Sequence, residues 1–145
     1  MGDIAKDVHS KFKDNKTKAL INILYTANWI SAKQNTFFAG FGLSPQQYNI
    51  LRILRGANEP LSMQVVKDRM IERAPNATRL TDKLCAKDLI ERIPCEHDRR
   101  VVHIQITKKG LQLLEDISDD FNDNWLNRIT EEEAAQLSDL LDKLR

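Results

Sequence analysis

One short stretch of the chain alternates between apolar and polar side chains, and segments of helical periodicity flank it on both sides. In residues 101–107, Val102, Ile104 and Ile106 fall on one face, which predicts a half-buried strand. Residues 89–93 form a second short apolar run, and a turn separates the two. Two short strands so placed pair as a hairpin. The sequence therefore predicts a mainly α-helical protein with one small β-hairpin.

Four predicted helices precede the hairpin. The first is long and amphipathic and covers residues 17–38. The second begins after Ser44, which suits the N-cap, with Pro45 at the first helical position and Gln47 able to close a capping box. Ser62 is the predicted N-cap of the third helix. The fourth covers residues 75–87 and lies directly before the hairpin.

Two further helices are predicted after the hairpin. Thr107 caps a long acidic helix over residues 108–127. Thr130 and Glu133 have the spacing of a capping box and open the last helix. The order is thus four helices, a hairpin and two helices, with no internal repeat.

Length and composition limit the classes of protein to which the chain can belong. The 145 residues suit one compact unit, so we predict a single domain over residues 1–145. No apolar run approaches the roughly 18 residues of a membrane span, so no membrane partner is expected. Residues 1–18 lack the apolar core of a signal peptide, which favours the cytoplasm. Cys85 and Cys95 are too few for a disulfide scaffold, and no cofactor or metal is expected.

Charge is distributed unevenly along the chain, although the net charge is only +1. Residues 62–110 carry 11 lysines and arginines against 7 acidic residues, a net charge of +4, and the remainder of the chain is acidic. A basic central block favours a polyanionic partner.

The predicted helix over residues 75–87 has two distinct faces. Ala77, Leu80 and Leu84 follow helical spacing and are expected to face the core. The second face is polar and consists of Asn76, Arg79, Lys83 and Lys87, with Thr78 beside it. Arginine and asparagine can each bridge two acceptors on a base edge, and lysine can neutralise phosphate. Most polar helix faces of this kind are solvated surface, so the pattern by itself indicates a DNA-reading helix only as one alternative.

The surroundings of this helix strengthen the interpretation. A short helix precedes it across a tight turn, as in a helix-turn-helix, and the hairpin follows it at once. The predicted hairpin loop carries Asp98, Arg99 and Arg100. Helix-turn-helix and hairpin together define a winged helix, in which loop arginines suit a narrow, negative minor groove.

The stretch over residues 43–110 closely resembles the MarR family of bacterial transcription regulators. Residues 76–84, Asn-Ala-Thr-Arg-Leu-Thr-Asp-Lys-Leu, are similar to the recognition helix of the family, and residues 89–92, Leu-Ile-Glu-Arg, to its first wing strand. The sequence Asp-Arg-Arg at 98–100, the alternating strand and the Thr-x-x-Gly from Thr107 to Gly110 match the wing pattern of the family. One position departs from it, because most relatives have glycine where this chain has Asp88.

The resemblance implies a homodimer that binds a pseudo-palindromic site on double-stranded DNA. The dimerisation helices would lie in residues 10–42 and 111–145, and the DNA-binding lobe in residues 43–110. By resemblance, Thr78 and Arg79 meet bases or nearby phosphates, Arg100 enters the minor groove, and Asp98 keeps the wing in shape. Most members of the family repress genes, and many release DNA when a small aromatic or phenolic ligand binds.

The residues themselves also favour a dimer. The terminal helices carry more apolar side chains than one small lobe can cover. These are Ile21, Leu24, Trp29, Phe37, Phe38, Leu113, Leu114, Phe121, Trp125, Leu126, Leu140 and Leu141. A ligand between the dimer helices and the winged lobe would change the spacing of the recognition helices. Candidates for the lining of such a crevice are Trp29, Phe37, Phe38 and Tyr48.

Other functions remain as alternatives. Oxidation of Cys85, on the predicted recognition helix, would make the chain a redox-responsive regulator. A winged helix can also bind proteins without touching DNA. Cys95, His97, Asp98 and His103 are close in sequence, but their spacing matches no structural zinc pattern. An enzyme is not expected, because the three histidines show no arrangement typical of catalysis and no phosphate-binding loop is present.

Overall fold

The computed structural model confirms a mainly helical chain with a small antiparallel sheet. It describes the backbone of residues 1–120 and 125–145 and the side chains of residues 1–117 and 125–145. The elements in chain order are α1 (Ile4–Asp7), α2 (Asn15–Ala39), α3 (Pro45–Ala57), β1 (Leu61–Ser62), α4 (Met63–Arg69), α5 (Ala77–Ala86), β2 (Ile90–Pro94), β3 (Val102–Ile106), α6 (Lys108–Asp120), a 3₁₀ helix (Leu126–Arg128) and α7 (Glu131–Asp142).

The predicted capping signals operate as expected. The backbone N–H of Gln47 donates to Ser44 Oγ at 3.1 Å, and the Ser44 N–H donates to the Gln47 side chain at 3.0 Å. The Ser62 hydroxyl accepts from the N–H of Val65 at 3.3 Å at the start of α4. Thr130 and Glu133 form the reciprocal pair that opens α7. Each cap satisfies backbone donors that have no partner within the helix.

The long helix α2 begins two residues earlier than predicted. The Asp14 carboxylate accepts from the N–H of Thr17 at 2.8 Å and serves as the N-cap. Hydrogen bonds from Thr17 to the ionised carboxylate lower the pKa of Asp14. Asp14 therefore starts the helix before the apolar periodicity, which predicted a start at residue 17.

The sheet has three strands in the order β1–β3–β2, one more than predicted. Leu61 and Ser62 pair with Ile104 and His103, so the residues just before α4 form an edge strand on the hairpin. The hairpin itself is confirmed, with Ile90 opposite Ile106. The two-residue strand β1 is too short to show alternation, which explains why sequence periodicity missed it.

The core lies in the winged lobe and is closed by the end of α2 and by the middle of α6. Its fully buried large side chains are Phe38, Ile50, Leu51, Leu54, Val66, Leu84, Ile90, Ile104, Leu114 and Ile117. Ala77 and Leu80 are buried with them, as predicted for the inner face of α5. Phe38 and Leu114, which the sequence assigned to the surplus apolar surface of the terminal helices, are thus covered by the lobe.

Two predicted helix bounds were wrong. The helix expected over residues 75–87 begins at Ala77, because Asn76 has non-helical backbone angles and is its N-cap. The helix expected over residues 108–127 is not continuous to its predicted end, because residues 126–128 form a 3₁₀ helix. Phe121, expected on the apolar surface, lies outside the described residues.

The corner between α5 and β2 has the left-handed turn expected where relatives have glycine. Asp88 has φ +58°. Its N–H donates to the Cys85 carbonyl at 3.0 Å, and the Leu89 N–H donates to the Leu84 carbonyl at 3.1 Å, which is the hydrogen-bond pattern of a Schellman cap. Aspartate accepts this conformation better than most other residues. The turn directs β2 away from the end of α5.

Gly110 allows α6 to approach this corner closely. A Cβ atom added there would lie 2.3 Å from the Leu89 carbonyl oxygen and 2.7 Å from Cγ1 of Ile106. Thr107 caps the same turn, since its hydroxyl accepts from the Gly110 N–H at 3.1 Å. The Thr-x-x-Gly pattern therefore has a steric reason, which is the packing of α6 onto the base of the wing.

The terminal helices leave much apolar surface uncovered. Leu20 and Leu24 on α2 are 55% and 54% exposed, and Leu140 on α7 is 62% exposed. Within the 25 residues of α2, only Phe38 is buried. Trp29 of α2 packs edge-on against Trp125, with ring centroids 5.5 Å apart. Residues 10–42 and 111–145 remain our proposed dimerisation region.

Candidate nucleic-acid interface

Helix α5 presents a polar face to solvent. Thr78, Arg79 and Lys83 are exposed on it, as the sequence predicted. Thr81 is buried, and its hydroxyl donates to the Thr78 carbonyl at 2.8 Å, so it faces the lobe. Asn76 is exposed at the N-cap and its side chain makes no capping hydrogen bond. Donors and cations therefore line the N-terminal half of the helix, where its dipole also favours anions.

An ion pair joins this helix to the wing. The guanidinium of Arg92 on β2 donates to the carboxylate of Asp82 on α5, and both side chains are about half exposed. The pair neutralises the Asp82 carboxylate, which would otherwise repel a polyanion bound to this face. It also ties the first wing strand to the exposed side of the helix.

The wing loop is closed by its own backbone. Asp98 Oδ1 accepts from the Arg100 N–H at 2.9 Å, and the Asp98 carbonyl accepts from the Val101 N–H at 3.1 Å. The Cys95 N–H donates to the Val101 carbonyl at 3.3 Å across the base. The turn therefore ties the exposed Asp98 carboxylate to the backbone, and the side chains of Arg99 and Arg100 are exposed beside it.

The cations of this surface are available for a partner. Arg79, Lys83, Arg99 and Arg100 form no ion pair with any residue that the structure describes. Unpaired arginines and lysines on a helix and an adjacent loop are the groups that bind phosphates and base edges. Among the described residues, all four side chains are therefore unpaired cations, two on α5 and two on the wing loop.

A cleft of about 330 Å³ opens between the end of α2, α3 and the turn after α4. Phe38 and Tyr48 line it and stack with ring centroids 4.2 Å apart. Arg52 donates to the Tyr48 hydroxyl at 3.2 Å and lies on the same wall. The backbone N–H of Ile71 donates to Asn49 Oδ1 at 3.0 Å, which joins α3 to the turn before α5.

The four predicted crevice aromatics are not all in one place. Phe38 and Tyr48 line the cleft, and Phe37 packs against Phe38 with centroids 5.3 Å apart without lining it. Trp29 lies near Trp125 and beneath the Lys33 ammonium, 5.2 Å from the ring centroid, away from the lining residues. Sequence reasoning missed Arg52, although its spacing of four from Tyr48 places both on one helix face.

The surroundings of Cys85 favour its neutral thiol. Burial raises the pKa of the Cys85 thiol, Arg92 opposes that shift and Asp82 adds to it. A raised pKa reduces the thiolate, which is the reactive form. Within the described part of the chain, no three His, Cys, Asp or Glu side chains gather at a metal-binding distance.

The arrangement of these elements defines the structural class of the protein. α4 and α5, joined by a turn and followed by the β2–β3 hairpin, form a winged helix-turn-helix. In the described residues, no helix is long and apolar enough to cross a membrane.

Comparison with known proteins identifies the family. Residues 41–101 match the model of the MarR family. The HTH-type transcriptional regulator MhqR of Bacillus subtilis is 31% identical over 119 residues, which cover 79% of this chain and 81% of MhqR. The chain belongs to the MarR family of winged helix-turn-helix, DNA-binding transcription regulators, and these are not enzymes.

Solved structures agree with this assignment. A MarR transcription factor from Planctomyces limnophilus is 30% identical, with a TM-score of 0.70 over 92% of this chain and 98% of that one. A mutant MarR from Escherichia coli, crystallised with operator DNA, has a TM-score of 0.75 over 92% and 99% of the two chains. Its identity is 22%, so that likeness bears on the fold.

Proposed function

We propose that this chain is a homodimeric repressor that binds a pseudo-palindromic operator in double-stranded DNA and releases it when a small aromatic ligand binds. The observation that carries the operator-binding part is the unpaired cationic face of α5 beside an ordered wing. Acting on DNA, the protein would work in the cytoplasm. Repression follows from occupancy, since a dimer across two major grooves covers DNA that a polymerase needs.

Each residue of the interface has a proposed role. Asn76, Thr78 and Arg79 lie at the N-terminal end of α5, the part of a recognition helix that meets base edges. Lys83, one turn further, would neutralise a phosphate.

The wing residues would act in the adjacent groove. Arg99 and Arg100 would lie along the minor groove and its phosphates, with Arg100 inserted. Asp98 would not touch DNA, because its carboxylate is occupied by the Arg100 N–H. Binding by such cations is expected to weaken steeply with salt, since neutralised phosphates release counterions.

The proposed dimer rests on the uncovered terminal helices. Leu20 and Leu24 of α2, Leu137 and Leu140 of α7, and Leu144 just after α7 are all at least half exposed. A second copy of the chain is the proposed cover, and two lobes roughly 34 Å apart would then match one turn of DNA. Sedimentation tests this: Leu24→Asp with Leu140→Asp should give a monomer. A wild-type chain that sediments as a monomer at micromolar concentration would refute the dimer.

The proposed effector site is the cleft beside Tyr48. The half-buried Tyr48 can pack against an aromatic ring, and the Arg52 guanidinium can pair with a carboxylate or phenolate. Because the cleft joins α2, α3 and the turn before α5, an occupant would favour one lobe orientation over another. It can shift that equilibrium only by its differential affinity for the two states.

Titration with benzoate, 2-hydroxybenzoate and phenol in the presence of operator DNA tests this site. Release of DNA by wild type, with a higher concentration required for Arg52→Met, would support it. Release at equal concentrations from wild type and Arg52→Met would refute the cleft as the site. Failure of all three compounds to release DNA would refute the aromatic effector.

The first experiment is selection from random duplexes at two salt concentrations, followed by sequencing. An enriched inverted repeat with half-sites about one turn apart would support the dimeric operator-binding regulator. Salt-sensitive binding without an enriched sequence would refute operator specificity. Absence of binding at both concentrations would favour the protein-interaction alternative.

A further inference from the structure

Lys87 follows the last helical residue of α5 and belongs by spacing to the cationic face of that helix. The structure gives its ammonium another partner. Lys87 Nζ donates to the carbonyl oxygen of Gly42, 45 residues away in the loop between α2 and α3. Gly42 has φ +70°, and a Cβ there would lie 3.3 Å from Lys87 Nζ, so the loop backbone lies close to the ammonium.

The backbone around Lys87 is tied to a third segment. Lys109 Nζ donates to the Lys87 carbonyl at 3.0 Å, and the Thr107 hydroxyl donates to the Asp88 carbonyl at 2.6 Å. The Thr107 N–H donates to the Leu89 carbonyl at 3.1 Å. Three successive carbonyls at the end of α5 are therefore held by the start of α6. We call this set, Gly42, residues 87–89, Thr107 and Lys109, the α5 junction.

The α5 junction lies where the C-terminal end of α5 meets the loop after α2 and the start of α6. Gly42 is three residues beyond the end of α2, and Thr107 directly precedes α6. The α5 junction is thus at the C-terminal end of α5, whereas Asn76 and Arg79 lie at the N-terminal end. A bond between the C-terminal end of a helix and a separate element restricts how the whole helix can tilt about that end.

We propose that Lys87 is a positioning residue for operator recognition: its bond to Gly42 fixes α5 relative to α2 and so sets the separation of the two recognition helices in the dimer. The inference rests on the proposed function. Lys87 would act without touching DNA, because its ammonium is engaged by the Gly42 carbonyl. Lys83, one turn earlier on the same helix, has no such bond to the described residues and provides the matched comparison.

Salt dependence separates the two lysines. Lys83→Met should reduce the slope of log affinity against log salt by about 1, as expected for a lost phosphate contact. Lys87→Met keeps the aliphatic stem and removes the donor. It should weaken operator binding roughly 2- to 30-fold, the range for residues that act through coupling, with the slope unchanged. A reduced slope for Lys87→Met would overturn the proposal and make the residue a phosphate contact.

Half-site spacing provides a readout that general destabilisation does not change. Wild type should prefer one spacing, and Lys87→Met should bind operators lengthened or shortened by one base pair with less discrimination. Lys87→Arg, which retains a donor of similar reach, should restore the preference, and Lys83→Met should keep it. An unchanged spacing preference in Lys87→Met would overturn the proposal.

A measurement without DNA keeps the inference separate from the proposed function. A spin label at Thr78→Cys, on a Cys85→Ser, Cys95→Ser background, reports the distance between the two recognition helices of a dimer. Lys87→Met should broaden that distance distribution, and an unchanged width would overturn the proposal. Should Lys87→Met not fold, Lys109→Met removes a different bond of the α5 junction and is expected to broaden it as well. Failure of wild type to select an operator would refute the proposed function without altering this result.

Discussion

The Arg92 guanidinium on the first wing strand, β2, donates to the Asp82 carboxylate on α5, so the two elements of the proposed DNA interface are joined by an ion pair. Both side chains are about half exposed, which limits the contribution of the pair to folding. Asp82→Asn and Arg92→Gln should each lower the free energy of unfolding by less than about 1 kcal/mol, less so at high salt. A double-mutant cycle in urea measures the coupling. A coupling well above about 1 kcal/mol would show that solvent screens the pair less than its exposure implies.

The proposed interface predicts different losses for its two main arginines. Arg79→Ala should weaken operator binding by about 1–3 kcal/mol and relax preference at one base position of each half-site, because arginine distinguishes guanine in the major groove. Arg100→Ala should weaken binding while major-groove preference is retained. Titration of the selected operator and its single-base variants measures both, with Lys6→Ala on α1, outside the interface and the proposed dimerisation region, as control. Equal affinity of wild type and both arginine variants would remove these assignments.

Gly110 and Gly56 form a matched pair. Gly110→Ala should lower the free energy of unfolding by about 1–3 kcal/mol or more, because the new methyl group would meet the Leu89 carbonyl and Ile106. A Cβ at Gly56, within α3, meets nothing within 4 Å, so Gly56→Ala should raise stability by about 0.5–1 kcal/mol. Urea unfolding measures both changes. Equal effects of the two substitutions would contradict the close approach of α6 to β2.

At the left-handed residue Asp88, in the α5–β2 corner, two substitutions should change the melting temperature in opposite directions. Asp88→Gly should raise the melting temperature, because glycine adopts φ +58° without steric cost. Asp88→Ala should lower it, since alanine does so at a cost of about 1–2 kcal/mol. Thermal unfolding of the three proteins decides the matter, with equal melting temperatures as the contrary outcome.

The raised pKa of Cys85 predicts slow thiol chemistry. In the Cys95→Ser variant, iodoacetamide should alkylate Cys85 more slowly at neutral pH when the protein is folded than in urea, because burial favours the neutral thiol. At neutral pH, below the pKa of the unfolded thiol, the stability that accompanies the raised pKa is fully present. That contribution is lost as the pH rises from the pKa of the unfolded thiol through that of the folded one. Faster alkylation of the folded protein would instead support the redox-responsive alternative.

Local signals in the sequence were sufficient for much of the fold. The Ser44–Gln47 capping box, the Ser62 cap and the buried face of α5 depend on residues within one or two turns, and all are confirmed. The strand β1 was missed because its only support is a distant partner, Ile104. Element identity depends on local periodicity, whereas pairing between distant segments leaves no local pattern.

The candidate site shows the same division. Exposure of Arg79 and Lys83 follows from helical spacing alone. Spacing also placed Lys87 on that face, but its partner Gly42 is 45 residues away and could not be read from one helix. Trp29 illustrates the same limit, since its contact with Trp125 depends on how the first and last helices pack.

The sparse burial of α2 has a consequence for how the protein behaves in a cell. A 25-residue helix with one buried side chain gains little stability from its own chain and depends on what covers it. When the cover is a second copy, folding becomes a second-order process and the melting temperature rises with protein concentration. Such a regulator would lose the order of α2 as it becomes scarce, so the abundance of the protein would itself be a control on the genes it governs.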